Sequence, residues 1–241
     1  MTTSASRRLA TATLRRGAPA ACSPSRSFFS LPSGFPSPFG SSASSSKPAP
    51  ERKGTLVKEG DIWVYREDKV MPYSPAQLYS VIADVDSYQS FLPFTTSSRV
   101  LNSTSIDPNG GGQRRDRPVA EKGWLTPGAG ERWEMDAELR IGAMGFEEGY
   151  VSRVEAEKER WVKATSKDAS MFRHLSTIWS FSPAPTTATP PGAPQTKVDL
   201  YLAYAFASPI HAAAIQTVWD KVSALMVDKF EQRVREVHGH R

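Results

Sequence analysis

Of the 241 residues only one is a cysteine, Cys22, near the N-terminus. An intrachain disulfide needs two, and a thiolate metal site needs several, so neither belongs to this chain. Histidine is nearly as scarce. His174, His211, His238 and His240 are scattered, with no H-E-x-x-H or comparable ligand spacing. Long apolar runs are missing as well: no stretch approaches the roughly 18 consecutive apolar residues that a spanning helix needs. No G-x-S-x-G elbow, Walker loop or dinucleotide fingerprint occurs. "NGGGQ" (Asn109 to Gln113) lacks the following helix that a phosphate loop requires and reads as a linker.

Acidic residues are absent from positions 1–50, which carry Arg7, Arg8, Arg15, Arg16, Arg26 and Lys47 among many Ser, Ala and Pro. An arginine- and serine-rich segment without acids is the composition of a mitochondrial or plastid transit peptide. A secretory signal would need an apolar core of about 7–15 residues, and none is there. Residues 1–50 are therefore expected to be a disordered transit peptide, with "SRSFFS" (Ser25 to Ser30) as the processing neighbourhood. Its removal would take Cys22 with it and leave no thiol nucleophile. It would also change the charge. Six of the 30 basic residues and none of the 25 acidic ones lie in 1–50, so 51–241 holds 24 against 25, a net −1. The basicity belongs to the leader, which removes the electrostatic argument for a nucleic-acid partner.

What remains is about 185 residues, enough for one domain with a sizeable core. "DIWVYREDKVMP" (Asp61 to Pro72) is β-prone and stops at a proline. Ser74 can cap a helix with Pro75 in its first turn and Gln77 at the capping-box position. Leu78, Tyr79, Ile82 and Val85 follow at helical spacing, and "DVDSYQSFLP" predicts a second short helix ending before Pro93. Strand candidates come next: "SSRVLNSTS", "WEMDAELRI", "FEEGYVSRVEAEK", "RWVKATSKD", "HLSTIWSF" and "KVDLYLAYAFA". "WEMDAELRI" alternates cleanly, with Trp133, Met135, Ala137, Leu139 and Ile141 on one face, as a half-buried antiparallel strand does. Residues 106–131 and 183–196 are polar and rich in Pro and Gly, and are expected as flexible surface insertions. Ser208 and Pro209 open a final helix of about thirty residues, whose Ile215, Val218, Trp219, Val222, Leu225, Met226 and Phe230 make an apolar stripe. The order predicts an α+β fold, an antiparallel sheet of about six to seven strands curved around a long C-terminal helix, with one or two short helices after the first strand.

"YSPAQLYSVIADVDSYQSFLPF", "AELRIGAMGFEEGYVSRV" and "LSTIWSF", in that order, with the closing "SPIH…FEQR" helix, resemble the mitochondrial coenzyme Q-binding proteins of the START-like, polyketide cyclase-related superfamily. The resemblance covers roughly residues 60 to 237 and places a START-like lipid-binding domain at 58–238. The two polar loops look longer than the family needs. The resemblance implies a non-catalytic lipid chaperone, peripheral on the matrix side of the inner mitochondrial membrane. It would bind ubiquinone or a biosynthetic precursor in support of respiration and ubiquinone biosynthesis, with no catalytic cofactor, no metal and no nucleic acid. Quinone-biosynthesis or respiratory-chain proteins would be its protein partners.

A carrier of that kind needs an apolar tunnel, and the inner-face residues supply candidates for its lining. These are Leu78, Ile82 and Phe91 in the helical segment, Trp133, Tyr150, Trp179, Phe181, Tyr204 and Phe206 on strands, and Val218, Val222 and Met226 on the last helix. For each of them ordinary core packing is the competing assignment. Two alternatives of different class stand beside the carrier: a cyclase or aromatase of the same fold, and a ribosome-associated interaction module. Glu147 and Glu148 beside Tyr150 suggest acid–base work, but neighbours on a strand face opposite ways, so at most one points inward. The hairpin tip "IGAMGF" puts Met144 and Phe146 where a turn is usually polar, and "FLPF" ends on Phe94, a second apolar corner; these three are the expected membrane contacts. Replacing Met144 and Phe146 with Ser is expected to weaken liposome binding with thermal stability nearly unchanged. Equal liposome binding by mutant and wild type would reject that role.

Overall fold

The computed structural model describes residues 54–107, 111–143, 146–184 and 194–239; the side chains of 143, 146, 210, 211 and 213–224 lie outside the description. The proposed transit peptide, Met144 and the middle of the second loop therefore also lie outside it. Nine strands among the described residues form one sheet: β1 Thr55–Glu59, β2 Ile62–Met71, β3 Thr95–Ile106, β4 Arg114–Arg117, β5 Arg132–Ala143, β6 Phe146–Glu157, β7 Trp161–Ser166, β8 Phe172–Pro183 and β9 Thr196–Phe206. Their order is β1-β2-β9-β8-β7-β6-β5-β3-β4. Every neighbouring pair is antiparallel; successive strands pair directly except β2 and β3, which helical segments connect, and β4 and β5, which flank β3, and β9 returns to lie beside β2. Register shifts in β3–β5 and β8–β9 mark bulges, which bend a strand and curl the sheet.

Between β2 and β3 come α1, Pro75–Ile82, and a 3-10 helix, Val85–Ser90. The capping box forms as its residues dictate: Ser74 Oγ accepts from the Gln77 amide while the Gln77 side chain accepts from the Ser74 amide. α1 buries Leu78, Tyr79, Val81 and Ile82. The long α2, Pro209–His238, closes the chain and buries Val227, Phe230 and Val234. At its end His238 Nε2 lies 3.1 Å from Ser80 Oγ, which ties the last turn to α1.

The strand count exceeds the expected six to seven because each edge carries one short strand the sequence pattern hides. At one edge Gly60, with φ +64°, turns β1 into β2 in a two-residue loop, a conformation glycine adopts without steric penalty. At the other edge β4 is "RRDR", four exposed charged residues that read as loop. Charge on an outermost strand discourages edge-to-edge pairing with another molecule. Cross-strand polar contacts hold β4: Thr104 Oγ1 donates to Asp116 at 2.9 Å, and Arg114 reaches past β3 to Glu134 on β5.

The stretch 106–131, polar by composition, also contributes to the core. Trp124 is fully buried; its indole N–H donates to the Ala83 carbonyl at 3.1 Å, and its ring meets Trp133 edge-on at 6.3 Å. Gly123 allows the approach, since a Cβ there would lie 2.6 Å from the Trp133 ring. Lys158, 1% exposed, pairs with Glu131, donates to Thr126 Oγ1 at 3.2 Å and lies 5.4 Å from the Trp133 ring centre.

The face of β5–β7 turned away from α2 carries an ionic lattice. Asp136 accepts from Asn102 at 2.9 Å, Arg153 at 3.0 Å and Lys167 at 2.8 Å. Burial alone would raise its pKa, but those three donors outweigh it and hold the carboxyl at about 2. A folded pKa below the unfolded value of about 3.9 makes the pair network stabilising above pH 4 and progressively lost as pH falls toward 2. Asp136→Asn is expected to lower the urea midpoint at pH 7 and to flatten the decline between pH 4 and pH 2. A mutant whose pH dependence matches wild type through that window would contradict this.

Candidate functional site

The inner face of the sheet is built by alternation. On β6, Tyr150, Ser152 and Val154 point the same way; on β8, Leu175, Thr177 and Trp179 do. Registers place Leu139 opposite Tyr150, Ala137 opposite Ser152, Val154 opposite Ala164, and Ala164 opposite Thr177. Where inward side chains are this small, α2 and the 3-10 helix cannot fill the concavity, and a cavity opens.

Its roof comes from Val85 and Tyr88 of the 3-10 helix and from Met226 and Phe230 of α2. Its floor and walls are Leu139 and Ile141 on β5, Tyr150, Ser152 and Val154 on β6, Val162 and Ala164 on β7, and Leu175, Thr177 and Trp179 on β8. Leu92, Pro93 and Thr95 line one end, next to Phe94, which is 37% exposed. Phe94 holds φ +64°, a strained conformation for a bulky residue, and its carbonyl accepts from the Gly142 amide at 2.9 Å. The enclosed void is about 100 Å³; with the space open to solvent at its entrance it reaches about 870 Å³. The smaller figure governs what fits without rearrangement. It falls below the roughly 150 Å³ of an apolar cavity that takes up benzene.

One aromatic cluster keeps the roof in place. The Phe230 ring lies edge-on to Trp179 at 4.9 Å, to Tyr88 at 5.2 Å and to Phe91 at 5.2 Å. The Arg233 guanidinium covers the far side of Phe91 at 5.7 Å. Tyr88 Oη donates to the Ile82 carbonyl, and burial, with the Asp84 charge, pushes its pKa upward. Burial likewise raises the Tyr150 hydroxyl, so both remain protonated over the physiological range. None of the described lining residues is charged.

Of the twelve expected lining residues, the cavity brings together Tyr150, Trp179 and Met226. Phe91 stands behind Phe230. Leu78 and Ile82 pack in the core under α1; Trp133 packs against Trp124; Phe181 and Tyr204 are buried outside the void; Phe206 stacks on Phe172 at 5.3 Å. The side chains of Val218 and Val222 lie outside the described residues, as do those of Met144 and Phe146 among the expected membrane contacts. Sequence reasoning sought large aromatics and so passed over Ser152, Val154, Val162 and Ala164. The readable signal was the opposite one: small inward residues on successive strands. Glu147 is held by Arg140 at 2.6 Å. Among the described residues no group of three or more His, Cys, Asp or Glu is placed to hold a metal ion, and no helix is long and apolar enough to cross a membrane.

Residues 71–231 match the family model described as polyketide cyclase / dehydrase and lipid transport. The chain is 29% identical to the coenzyme Q-binding protein COQ10 homolog B of Xenopus laevis, over 73% of this chain and 59% of that one. It is 27% identical to the coenzyme Q-binding protein COQ10 of Dictyostelium discoideum, over 71% and 68%. It is 25% identical to the ribosome association toxin RatA of Escherichia coli, over 71% and 87%. The Xenopus relative therefore has substantial length that this chain does not match. Among solved structures, the Zhui aromatase/cyclase of a Streptomyces superposes with a TM-score of 0.50 at 14% identity, covering 73% of this chain and 96% of that one. That likeness concerns the fold alone.

Proposed function

This chain belongs to the polyketide cyclase / dehydrase and lipid transport family, and we propose that it is a non-catalytic carrier of a polyprenyl quinone, held between the sheet and α2. The observation that carries the reading is a void whose described wall is largely apolar and carries no charge, in a chain whose relatives include coenzyme Q-binding proteins. The physical need for a carrier is direct. Each buried methylene is worth about 0.8 kcal/mol, so an isoprene unit exposed to water costs roughly 3–4 kcal/mol and a long tail stays in the bilayer unaided. A void of about 100 Å³ does not hold such a molecule as it stands. Entry requires the roof to lift, and Met226, an unbranched and adaptable side chain, is the part of it that repacks most easily.

The exposed Phe94 beside the Leu92–Pro93 end of the cavity is the proposed point of membrane contact, and Met144 and Phe146, whose side chains lie outside the described residues, are proposed with it from the sequence. An inner-membrane, matrix-side location follows from this reading together with the leader composition, and a role in respiration or quinone synthesis is its consequence. Ribosome association rests on the Escherichia coli relative, and the net charge of −1 over 51–241 offers little attraction to RNA phosphates.

Extraction and mass spectrometry of the purified protein are expected to find a polyprenyl quinone. Ala164→Leu, which fills the void from the middle of β7, is expected to lose that lipid while its melting temperature holds or rises. Wild-type protein that carries no quinone and takes up none from vesicles would end the proposal.

A further inference from the structure

Several buried hydroxyls in this protein have partners, although Tyr79 Oη and Thr165 Oγ1 are buried with none among the described residues. Ser103 Oγ donates to the Arg117 carbonyl at 3.0 Å, Thr196 Oγ1 to the Tyr73 carbonyl at 2.7 Å, and Tyr65 Oη to Glu67 at 2.6 Å. Tyr150, Ser152 and Thr177 all line the cavity, and their hydroxyls make no hydrogen bond to another described residue. Ser152 is 3% exposed and Tyr150 8%, and Thr177 is half-buried, so the three hydroxyls face the void and not the outer surface. A hydroxyl that faces an apolar void without a protein partner adds nothing to the fold, and an apolar residue of similar size at each position would pack as well. Three such groups facing one void call for a ligand.

We infer that the Tyr150, Ser152 and Thr177 hydroxyls form a neutral recognition band for the ring of a quinone, and that this wall excludes a prenylated ring bearing a free carboxylate. The inference rests on the carrier reading above and adds the chemistry of the head group to it. A quinone ring only accepts hydrogen bonds and its reduced form also donates; a hydroxyl does both, so the band suits either redox state. Spacing agrees. Ser152 lies opposite Ser166 on β7, and Thr177 opposite Ala164, two residues along. Two strand spacings and one two-residue step put the Ser152 and Thr177 Cα atoms roughly 12 Å apart, narrowing toward the concave side. The para carbonyl oxygens of a quinone, with a hydrogen bond at each end, span roughly 11 Å. Exclusion of a carboxylate follows from what the wall lacks. None of the described lining residues is Lys, Arg or His, and an ionised carboxyl buried without a cation is strongly disfavoured.

The test is displacement of Nile red from the purified full chain by four probes: ubiquinone with two isoprene units, squalene, a geranylated hydroxybenzoic acid, and its methyl ester. Thr177→Val, Ser152→Ala and Tyr150→Phe are each expected to weaken the quinone by about three- to tenfold. Squalene should bind unchanged, and melting temperatures should hold or rise. For wild type at pH 7 the free acid is expected to bind at least about tenfold more weakly than its ester. Unchanged quinone affinity in all three variants, or equal binding of acid and ester, would overturn the inference and leave the carrier reading standing. Wild-type protein that binds squalene with no preference for quinone would overturn it in the same way. Failure of wild type to bind any probe would remove the carrier reading and this inference together.

Discussion

The contact on which the rest depends is the seat of α2 on the sheet. Phe230 is buried against three rings from two separate parts of the chain, Trp179 on β8 and Tyr88 and Phe91 of the 3-10 segment. One turn away, Lys69 on β2 reaches Glu231 at 2.5 Å and Asp228 at 3.3 Å. The helix is therefore pinned at strand β2 by charge and over β8 by aromatic packing. Aromatic edge-to-face pairs add roughly 0.5–1.5 kcal/mol each beyond the apolar area they bury. With the C-terminal half of α2 fixed this way, it cannot sink into the concavity wherever the sheet's inner side chains are short.

That constraint turns small residues into a void. Ala137, Ser152, Ala164 and Thr177 occupy adjacent inward positions on β5 to β8. A core optimised for stability alone would fill those positions, because voids forfeit dispersion contacts. Here the void persists between a rigid floor, braced on its far face by the Asp136 and Glu134 ion pairs, and a roof held chiefly by one aromatic clasp. Such an arrangement concentrates any opening in the helix and leaves the sheet unchanged.

Much of the fold was legible in the sequence. Ser74, Pro75 and Gln77 announced α1 through chemistry that acts within four residues. The alternation of Trp133 to Ile141 announced β5, and Ser208–Pro209 the start of the long helix. The two edge strands were not legible. β4 is "RRDR", whose charges carry no burial pattern, and β1 depends on a turn at Gly60 that only pairing with β2 makes regular. Trp124 shows the same limit: a tryptophan inside a polar stretch becomes core only because Trp133 and the Ala83 carbonyl are brought to it by tertiary contacts. The cavity was the least legible of all. A void is a property of several strands in register, and the residues that create it are inconspicuous one at a time, whereas the large aromatics that drew the eye, Trp133 and Tyr204 among them, fill space.

The central claim is that a lipid enters between the Phe230 clasp and the short side chains of β6 to β8. Soaking crystals with a brominated, short-tailed quinone and locating the bromine by its anomalous signal tests this most directly. The account predicts a peak within about 4 Å of Thr177 and Trp179, with α2 displaced outward and the sheet unchanged. A peak confined to the outer face of the sheet, or a fully loaded crystal with the void still closed, would contradict it.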